Sequence, residues 1–230
     1  MSASLSSETE RVLATMFDTD SAVPDYRQIT TCTEEYFARE GDSPLGMGWP
    51  NVADAVRRFD VMLDVIRDRG QPVRLLDFGC GTGHLYEHIQ NQTDLNVDYH
   101  GIDLSEQFIR AAQKKFPDVQ FTHADVLQAD DALKHYDYAV VNGVFTSRCQ
   151  MTYSQMLSFV QQVLRKLFAR VSEGMAFNAM SKHVDWERRD LFHLPLDEIA
   201  AFCCSDLSRH FIIRNDYRLY EFTTYVYHNA

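Results

Sequence analysis

The sequence predicts an α/β fold: a doubly wound, mainly parallel sheet of seven strands, ending in an antiparallel hairpin and preceded by a helical N-terminal cap. Three observations carry this. Short apolar runs alternate with longer segments whose apolar residues recur at i, i+3, i+4 and i+7, so strands alternate with helices. A glycine-rich stretch, "GCGTG" at 79–83, sits where the first such run meets a helix. Two β-rich stretches lie close together at the end of the chain, near enough to pair as a hairpin.

The elements follow in order. A weak helical pattern covers residues 8–17, and "GMGWPN" at 46–51 punctuates the segment after it with glycines and proline. Residues 51–69 form the first strong helix, with Val52, Ala55, Val56, Phe59, Met62, Leu63 and Ile66 on one stripe. Asn51 is placed to cap its start and Gly70 to end it. Residues 73–78 are apolar and too short for a helix, as a strand buried on both faces requires. A helix begins near Leu85, and "DYHGIDL" at 98–104 is the second strand. Ser105 caps a helix carrying Phe108, Ile109, Ala112 and Phe116, which Pro117 stops. Residues 119–126 and 136–142 are the third and fourth strands. A long helix covers 153–172, with Val171 last on its stripe. Gly174 precedes a fifth strand at 175–180. A helix at 195–207 and strands at 210–217 and 220–228 complete the chain, with Phe222, Tyr225 and Tyr227 partly buried by alternation. The division expected is a cap at 1–50 and one domain at 51–230.

Composition narrows the function. A formal net charge of −11 over 230 residues repels phosphate backbones, so no nucleic-acid partner is expected. The first residues, "MSASLSSETERVL", lack a basic segment followed by an apolar one, and no apolar run approaches the roughly 20 residues that span a bilayer. Neither a secretory leader nor a membrane partner is expected. The five cysteines include no C-x-x-C pair, which favours reduced thiols in a cytoplasm. No His, Asp and Glu cluster has ligand spacing, so no metal is expected.

Chemistry concentrates at "LLDFGCGTGHL", residues 75–85. Ligands of doubly wound sheets sit beyond the carboxyl ends of the strands, and glycines there let a ligand approach bare backbone. Asp103 closes the second strand, where a carboxylate accepts from ribose hydroxyls. The glycines follow G-x-G-x-G rather than the dinucleotide pattern G-x-G-x-x-G. Asp77 stands ahead of them, where a carboxylate opposes a pyrophosphate and suits a cation.

This stretch resembles the first motif of the class I S-adenosylmethionine-dependent methyltransferases, small-molecule type. "HGIDLSEQFI", "FTHADVL" and "YDYAVVNGVF" resemble the second, third and fourth motifs, in register over about residues 73–146. The resemblance implies the Rossmann-like methyltransferase fold and S-adenosyl-L-methionine as cofactor. It implies that Gly79, Cys80, Gly81 and Gly83 line the methionine and ribose portions, Cys80 as a small filler. Asp77 would sit near the cofactor's amino group, Asp103 on the ribose with Leu104 against the adenine, and Asp125 on the adenine amino group. Val126 would contact through its backbone, and Asn142 and Gly143 would lie beside the sulfonium. "GMGWPN" resembles caps of small-molecule members, and Trp49 covers the cofactor or packs under the helix.

Acceptor-facing residues are expected from the cap and from loops after the strands. Tyr26, Tyr36, Arg148 and Trp186 are the candidate binding residues, and His183, after the fifth strand, is the candidate general base. Arg188 and Arg189 clamp an acceptor's anionic group or pair with Glu187 and Asp190. The expected function is methyl transfer to a small molecule, an O-methylation. An NAD-dependent oxidoreductase and a non-catalytic binding module on the same fold are the alternatives.

Overall fold

The computed structural model describes residues 26–49, 51–92, 95–129 and 132–229. Its elements are α1 (Arg27–Glu40), α2 (Val52–Leu63), β1 (Val73–Phe78), α3 (His84–Ile89), β2 (Val97–Asp103), α4 (Glu106–Lys115), β3 (Gln120–His123) and β4 (Tyr136–Val141). These are followed by α5 (Tyr153–Phe168), β5 (Val171–Ser181), β6 (His193–Leu194), α6 (Leu196–Phe202), β7 (His210–Arg214) and β8 (Glu221–Tyr227).

One eight-stranded sheet runs β3-β2-β1-β4-β5-β8-β7, with the short β6 also on β5. All pairings are parallel except β5 with β8 and β7 with β8. The chain steps outward from β1 to β3, then returns to place β4 on the other side of β1. The sheet therefore reverses direction between β1 and β4, where doubly wound sheets open a crevice at their carboxyl ends.

Alternation along the central strands divides the core. Leu76, Val141 and Phe177 face α5 and α6, and pack with Met156, Val160, Leu164 and Phe202. Leu75, Val140 and Ala176 face α2, α3 and α4, and pack with Met62, Leu85, Ile89 and Ile109. Both sides of β1 are thus buried along most of its length, which is why 73–78 is short and mostly apolar, with Arg74 exposed at its start and Asp77 near its carboxyl end.

Several expectations shift in detail. The weak helical pattern at 8–17 lies outside the described residues. α1 went unread because no residue of it is buried, so no apolar stripe marks it. Asn51 caps α2, accepting from the backbone N–H of Ala53 at 2.9 Å. That helix ends at Leu63 rather than near Gly70. Val65 and Ile66 leave it through three-residue turns and are both buried, 0% and 3% exposed, where adjacent positions of a helix would point about 100° apart. Val171 belongs to β5 and not to the helix before it, since Ala169 and Arg170 turn the chain. Gly174 lies inside that strand. A Cβ there would meet the Tyr227 ring at 2.6 Å, so glycine lets β8 pair closely. The third strand stops at His123 because Asp125 turns the backbone, accepting from Leu127 N–H at 3.2 Å. The helix expected at 195–207 is α-helical only to Phe202, and a π-helical turn covers Cys203–Leu207. Every residue of β8 is buried, so Phe222, Tyr225 and Tyr227 are wholly inside and not alternately exposed: β8 lies between β5 and β7.

Helix α5 contributes seven buried side chains and starts at a capping box. Thr152 Oγ1 accepts from Gln155 N–H at 3.3 Å, and Gln155 Oε1 accepts from Thr152 N–H at 2.9 Å. Thr152→Ala removes half of that reciprocal cap and is expected to destabilise the chain by about 1 kcal/mol in urea unfolding, with an unchanged denaturant slope.

Candidate functional site

The turn after β1 is held to β2 by its backbone. Gly79 N–H and Cys80 N–H both donate to Ile102 O, at 2.8 and 3.2 Å. Gly81 N–H donates to Asp103 Oδ2 at 2.8 Å, and Ser105 N–H donates to Asp103 Oδ1 at 2.8 Å. One carboxylate therefore clamps the glycine turn to the start of α4. Gly79 and Gly81 have φ of +76° and +54°, the left-handed region that glycine enters without a Cβ penalty. Side chains there would also collide. A Cβ on Gly79 would lie 2.2 Å from Val144 Cγ2, and one on Gly81 would lie 2.4 Å from Met47 Cε.

These elements wall a cavity of about 670 Å³ at the carboxyl ends of β1, β2 and β4. That lies within the roughly 300–1,000 Å³ typical of ligand pockets. Its other side is built by α1, the turn before Trp49, and the first turns of α2.

The structure brings twelve of the expected site residues into this wall: Tyr26, Trp49, Asp77, Gly79, Cys80, Gly81, Asp103, Leu104, Asp125, Val126, Asn142 and Gly143. Gly83 instead caps the start of α3, where a Cβ would press on Phe121 and Phe116 at 3.0 and 3.1 Å. Tyr36 and Trp186 are 46% and 71% exposed and stand outside the wall. Arg148 turns into its own loop, donating to Arg189 O at 2.7 Å and Met151 O at 3.3 Å. His183 is exposed and outside the wall. Arg188 pairs with Asp190, and Glu187 pairs with Lys182. Arg189 is exposed.

The wall's acids differ in state. Asp77 is 2% exposed, and burial pushes its carboxyl up to about 7, against the opposing hydrogen bond from Tyr99 O–H at 2.5 Å. Burial also raises Asp103, over the lowering effect of the Ser105 and Gly81 N–H groups. The Asp125 carboxylate accepts from Tyr26 O–H at 2.8 Å and pairs with Arg27 at 3.0 Å. Burial, then Asp103, pushes the Cys80 thiol well above its ordinary value, so a thiolate nucleophile is excluded there.

From the sequence, His84 beside the glycine turn is either a cofactor contact or the start of a helix, and His88 goes unread. His84 and His88, one turn apart on α3, both line the cavity; His88 Nε2 lies 2.7 Å from Asp60 and His84 Nε2 lies 3.1 Å from Asp42. Their i, i+4 spacing places them on one helix face and was the available signal. Asp42, from the turn after α1, also pairs with Lys115 at 2.9 Å and accepts from Thr82 O–H at 2.6 Å. Burial works against its charge, but these partners prevail and hold its carboxyl below the ordinary value. Among the described residues no group of three or more His, Cys, Asp or Glu could hold a metal ion, and no helix is long and apolar enough to cross a membrane.

Comparison with known proteins agrees with this geometry. A family model described as a methyltransferase domain matches residues 76–174. The methyltransferase-named protein Rv1506c of Mycobacterium tuberculosis is 29% identical over 163 residues, 70% of this chain and 96% of that protein. The malonyl-acyl-carrier-protein O-methyltransferase of Halalkalibacterium halodurans is 34% identical over 120 residues, 49% of this chain and 44% of that protein. Among solved structures, the magnesium protoporphyrin IX methyltransferase of Synechocystis PCC 6803, with S-adenosylmethionine bound, superposes with a TM-score of 0.58 at 15% identity, covering 99% of each chain. The plantazolicin methyltransferase BpumL superposes with a TM-score of 0.57 at 18% identity, covering 96% of each. The sheet order, the crevice and its glycine turn define a Rossmann-like methyltransferase fold. By motifs and matches together, the chain is similar to the class I S-adenosylmethionine-dependent methyltransferases, and the methyltransferase-domain match lies on the strands and turn that wall the cavity.

The Asp77 carboxyl gives a pH test of the site. Its ordinary value is 3.8 and its folded value about 7, so between them the folded chain holds the extra proton. Stability from this group therefore falls as pH rises through that window and stays low above it. Asp77→Asn removes the charge at nearly constant shape and keeps an acceptor for Tyr99. Its melting temperature is expected to gain on the unsubstituted chain from pH 5 to pH 8 in paired calorimetric scans. A constant difference across that range refutes the assignment.

Proposed function

We propose that this protein transfers a methyl group from S-adenosylmethionine to an oxygen atom of a small molecule. The observation that carries the reading is the glycine turn, opened by buried Asp77 and clamped by Asp103, at the crevice of the doubly wound sheet.

The residues present fit the cofactor. Bare backbone at Gly79 and Gly81 forms a cradle that side chains would fill. The wall carries two buried acids whose pKa burial raises, and a cationic ligand would favour their ionised, hydrogen-bond-accepting form. A dinucleotide's pyrophosphate would oppose both, which disfavours the oxidoreductase reading. Asp103 retains lone pairs for ribose hydroxyls, since each of its oxygens accepts one backbone N–H. Leu104 and Val126 would flank the adenine, and Asp125 would accept its amino group while held by Tyr26. Asp77 would face the amino group of the methionine portion. Asn142 and Gly143 would lie at the sulfonium end, under Trp49. When bound, the cofactor supplies an electrophilic methyl group. The chain supplies orientation and exclusion of water, and orientation alone is worth on the order of 7–11 kcal/mol in favourable cases.

A small acceptor is supported by the size of the cavity, about 670 Å³, and by the negative surface, with its formal net charge of −11. The relatives named above are named for a porphyrin, a plantazolicin and a malonyl acyl-carrier protein, and one is an O-methyltransferase. Within the segment expected as a cap at 1–50, the described residues 26–49 would cap the domain at 51–230. Proton acceptance by His183, and acceptor contacts by Tyr36, Arg148 and Trp186, would each require these groups, which stand outside the wall, to move toward the cavity. We place the protein in the cytoplasm, since all five cysteines are free thiols.

Titration calorimetry tests the reading: S-adenosylhomocysteine is expected to saturate the folded chain and NADH is not. Saturation by NADH alone overturns it. Asp103→Ala is expected to weaken S-adenosylhomocysteine by at least about 10-fold, one charged hydrogen bond being worth roughly 1.5–3 kcal/mol. Because Gly81 and Ser105 N–H lose their acceptor, the same variant also melts lower. Unchanged affinity refutes the ribose role.

A further inference from the structure

A line of buried polar groups joins the cap to the cavity floor. Arg58 of α2 donates through Nε to both oxygens of Glu221 in β8, at 2.9 Å each. The same guanidinium lies 4.5 Å over the Trp49 ring. Asn178 of β5 donates through Nδ2 to Glu221 Oε1 at 3.0 Å and to Asn142 Oδ1 at 3.2 Å. Asn178 Oδ1 accepts from Gly143 N–H at 2.8 Å. Glu221 is 2% exposed and Asn178 is 1% exposed.

The direction of every bond in this line is dictated by chemistry. Arginine has donors only, so Glu221 must accept from it. The Glu221 carboxylate has acceptors only, so it faces the Asn178 NH2 group. A backbone N–H only donates, so Gly143 faces the Asn178 oxygen. Both ends of the Asn178 amide are thereby committed. Asn142 must then turn its oxygen to Asn178, and what it has left is its own NH2 group. Asn142 lines the cavity, and Trp49 lies over the neighbouring Gly143, where a Cβ would meet the indole at 2.9 Å.

Resting on the methyl-transfer reading above, we propose that Asn142 is a fixed hydrogen-bond donor at the acceptor's end of the cavity and selects oxygen over nitrogen nucleophiles. Arg58, Glu221 and Asn178 are its positioning residues. A reacting oxygen keeps spare lone pairs and accepts from the Asn142 NH2 while one lone pair points at the methyl group. A reacting amine has one lone pair, already committed, and presents only N–H groups to a donor. Donor then meets donor, and a desolvated N–H is left without a partner. The class of substrate that fits is a small molecule whose nucleophile is an anionic oxygen, a phenolate or a carboxylate.

The test uses two isosteric probes at pH 8, 4-nitrophenolate and 4-nitroaniline, titrated into the full chain saturated with S-adenosylhomocysteine. Affinities come from calorimetry, and the side-chain NH2 signals of 15N-labelled protein are followed by NMR, with Asn142 assigned by its loss in Asn142→Ala. The expected result is a preference for the phenolate of at least about 10-fold, with a shift of the Asn142 NH2 pair. That preference falls toward parity in Asn142→Ala. It also falls in Glu221→Gln, whose amide offers Asn178 either a donor or an acceptor and so releases the direction of the line. A preference that survives Asn142→Ala, a preference for the aniline, or no Asn142 shift with either probe overturns the proposal. A preference that survives in a folded Glu221→Gln overturns the positioning role. If the unsubstituted chain fails to bind S-adenosylhomocysteine, the methyl-transfer reading falls. If it binds and the preference is absent, this proposal alone falls.

Discussion

The Asp103 carboxylate is the constraint on which the site depends. It is the last residue of β2, and its two oxygens take the N–H groups of Gly81 and Ser105, which no helix or sheet bond satisfies. Without that acceptor, two buried donors lose their partner and the glycine turn loses its fixed distance from β2. A residue read from sequence as a ligand contact is therefore a structural clamp first. The proposed ribose role would use lone pairs that the clamp leaves over. This explains how a turn with so little side chain holds one shape: its rigidity comes from a carboxylate on the neighbouring strand.

Much of the fold was legible because β1 and β4 bury most of both faces, which leaves short, mostly apolar segments such as Leu75–Leu76 and Ala139–Val141. Caps were legible for the same local reason: Asn51 and Ser105 carry their own acceptor to the N–H groups that need it. What was illegible depended on partners distant in sequence. α1 meets the rest of the molecule through polar contacts such as Ser105 with Glu34 and Asp125 with Arg27, and through scattered apolar ones at Ile29 and Phe37, and these leave no continuous stripe. Val171 continued the stripe of Leu167 and Phe168 at helical spacing, yet it pairs with Tyr136 in the sheet. β8 showed no polar face to read because both of its edges are paired and both of its faces are covered.

The candidate site divides along the same line. Residues bound to strand ends, from Asp77 to Gly143, were placed by register alone, since a parallel sheet brings consecutive strand ends to one edge. Residues on loops were not. His183, Trp186 and Arg148 follow strand ends on the ligand side, but which face of a loop turns inward is set by contacts such as Arg148 with Arg189 O. His88 was passed over, and His84 was left between cofactor contact and helix start, because a helix after a glycine turn shows its cavity face only once α2 is packed beside it.

Burial also changes what the acids mean. As a sequence, Asp77 is a negative charge waiting for a cation. As a structure, it is an acid poised near neutrality, because the site withholds the water that would solvate its charge. A pocket lined with fully ionised acids would be more strongly attractive, but it would repel itself when empty: Asp103 already raises the cost of ionising Asp77. Letting one acid keep its proton relieves that repulsion. A cation arriving beside Asp77 favours the ionised form and drives the proton out. The charge that Asp77 presents to the cavity is thus conditional on pH, and a cationic ligand bound beside it would create part of the charge it meets.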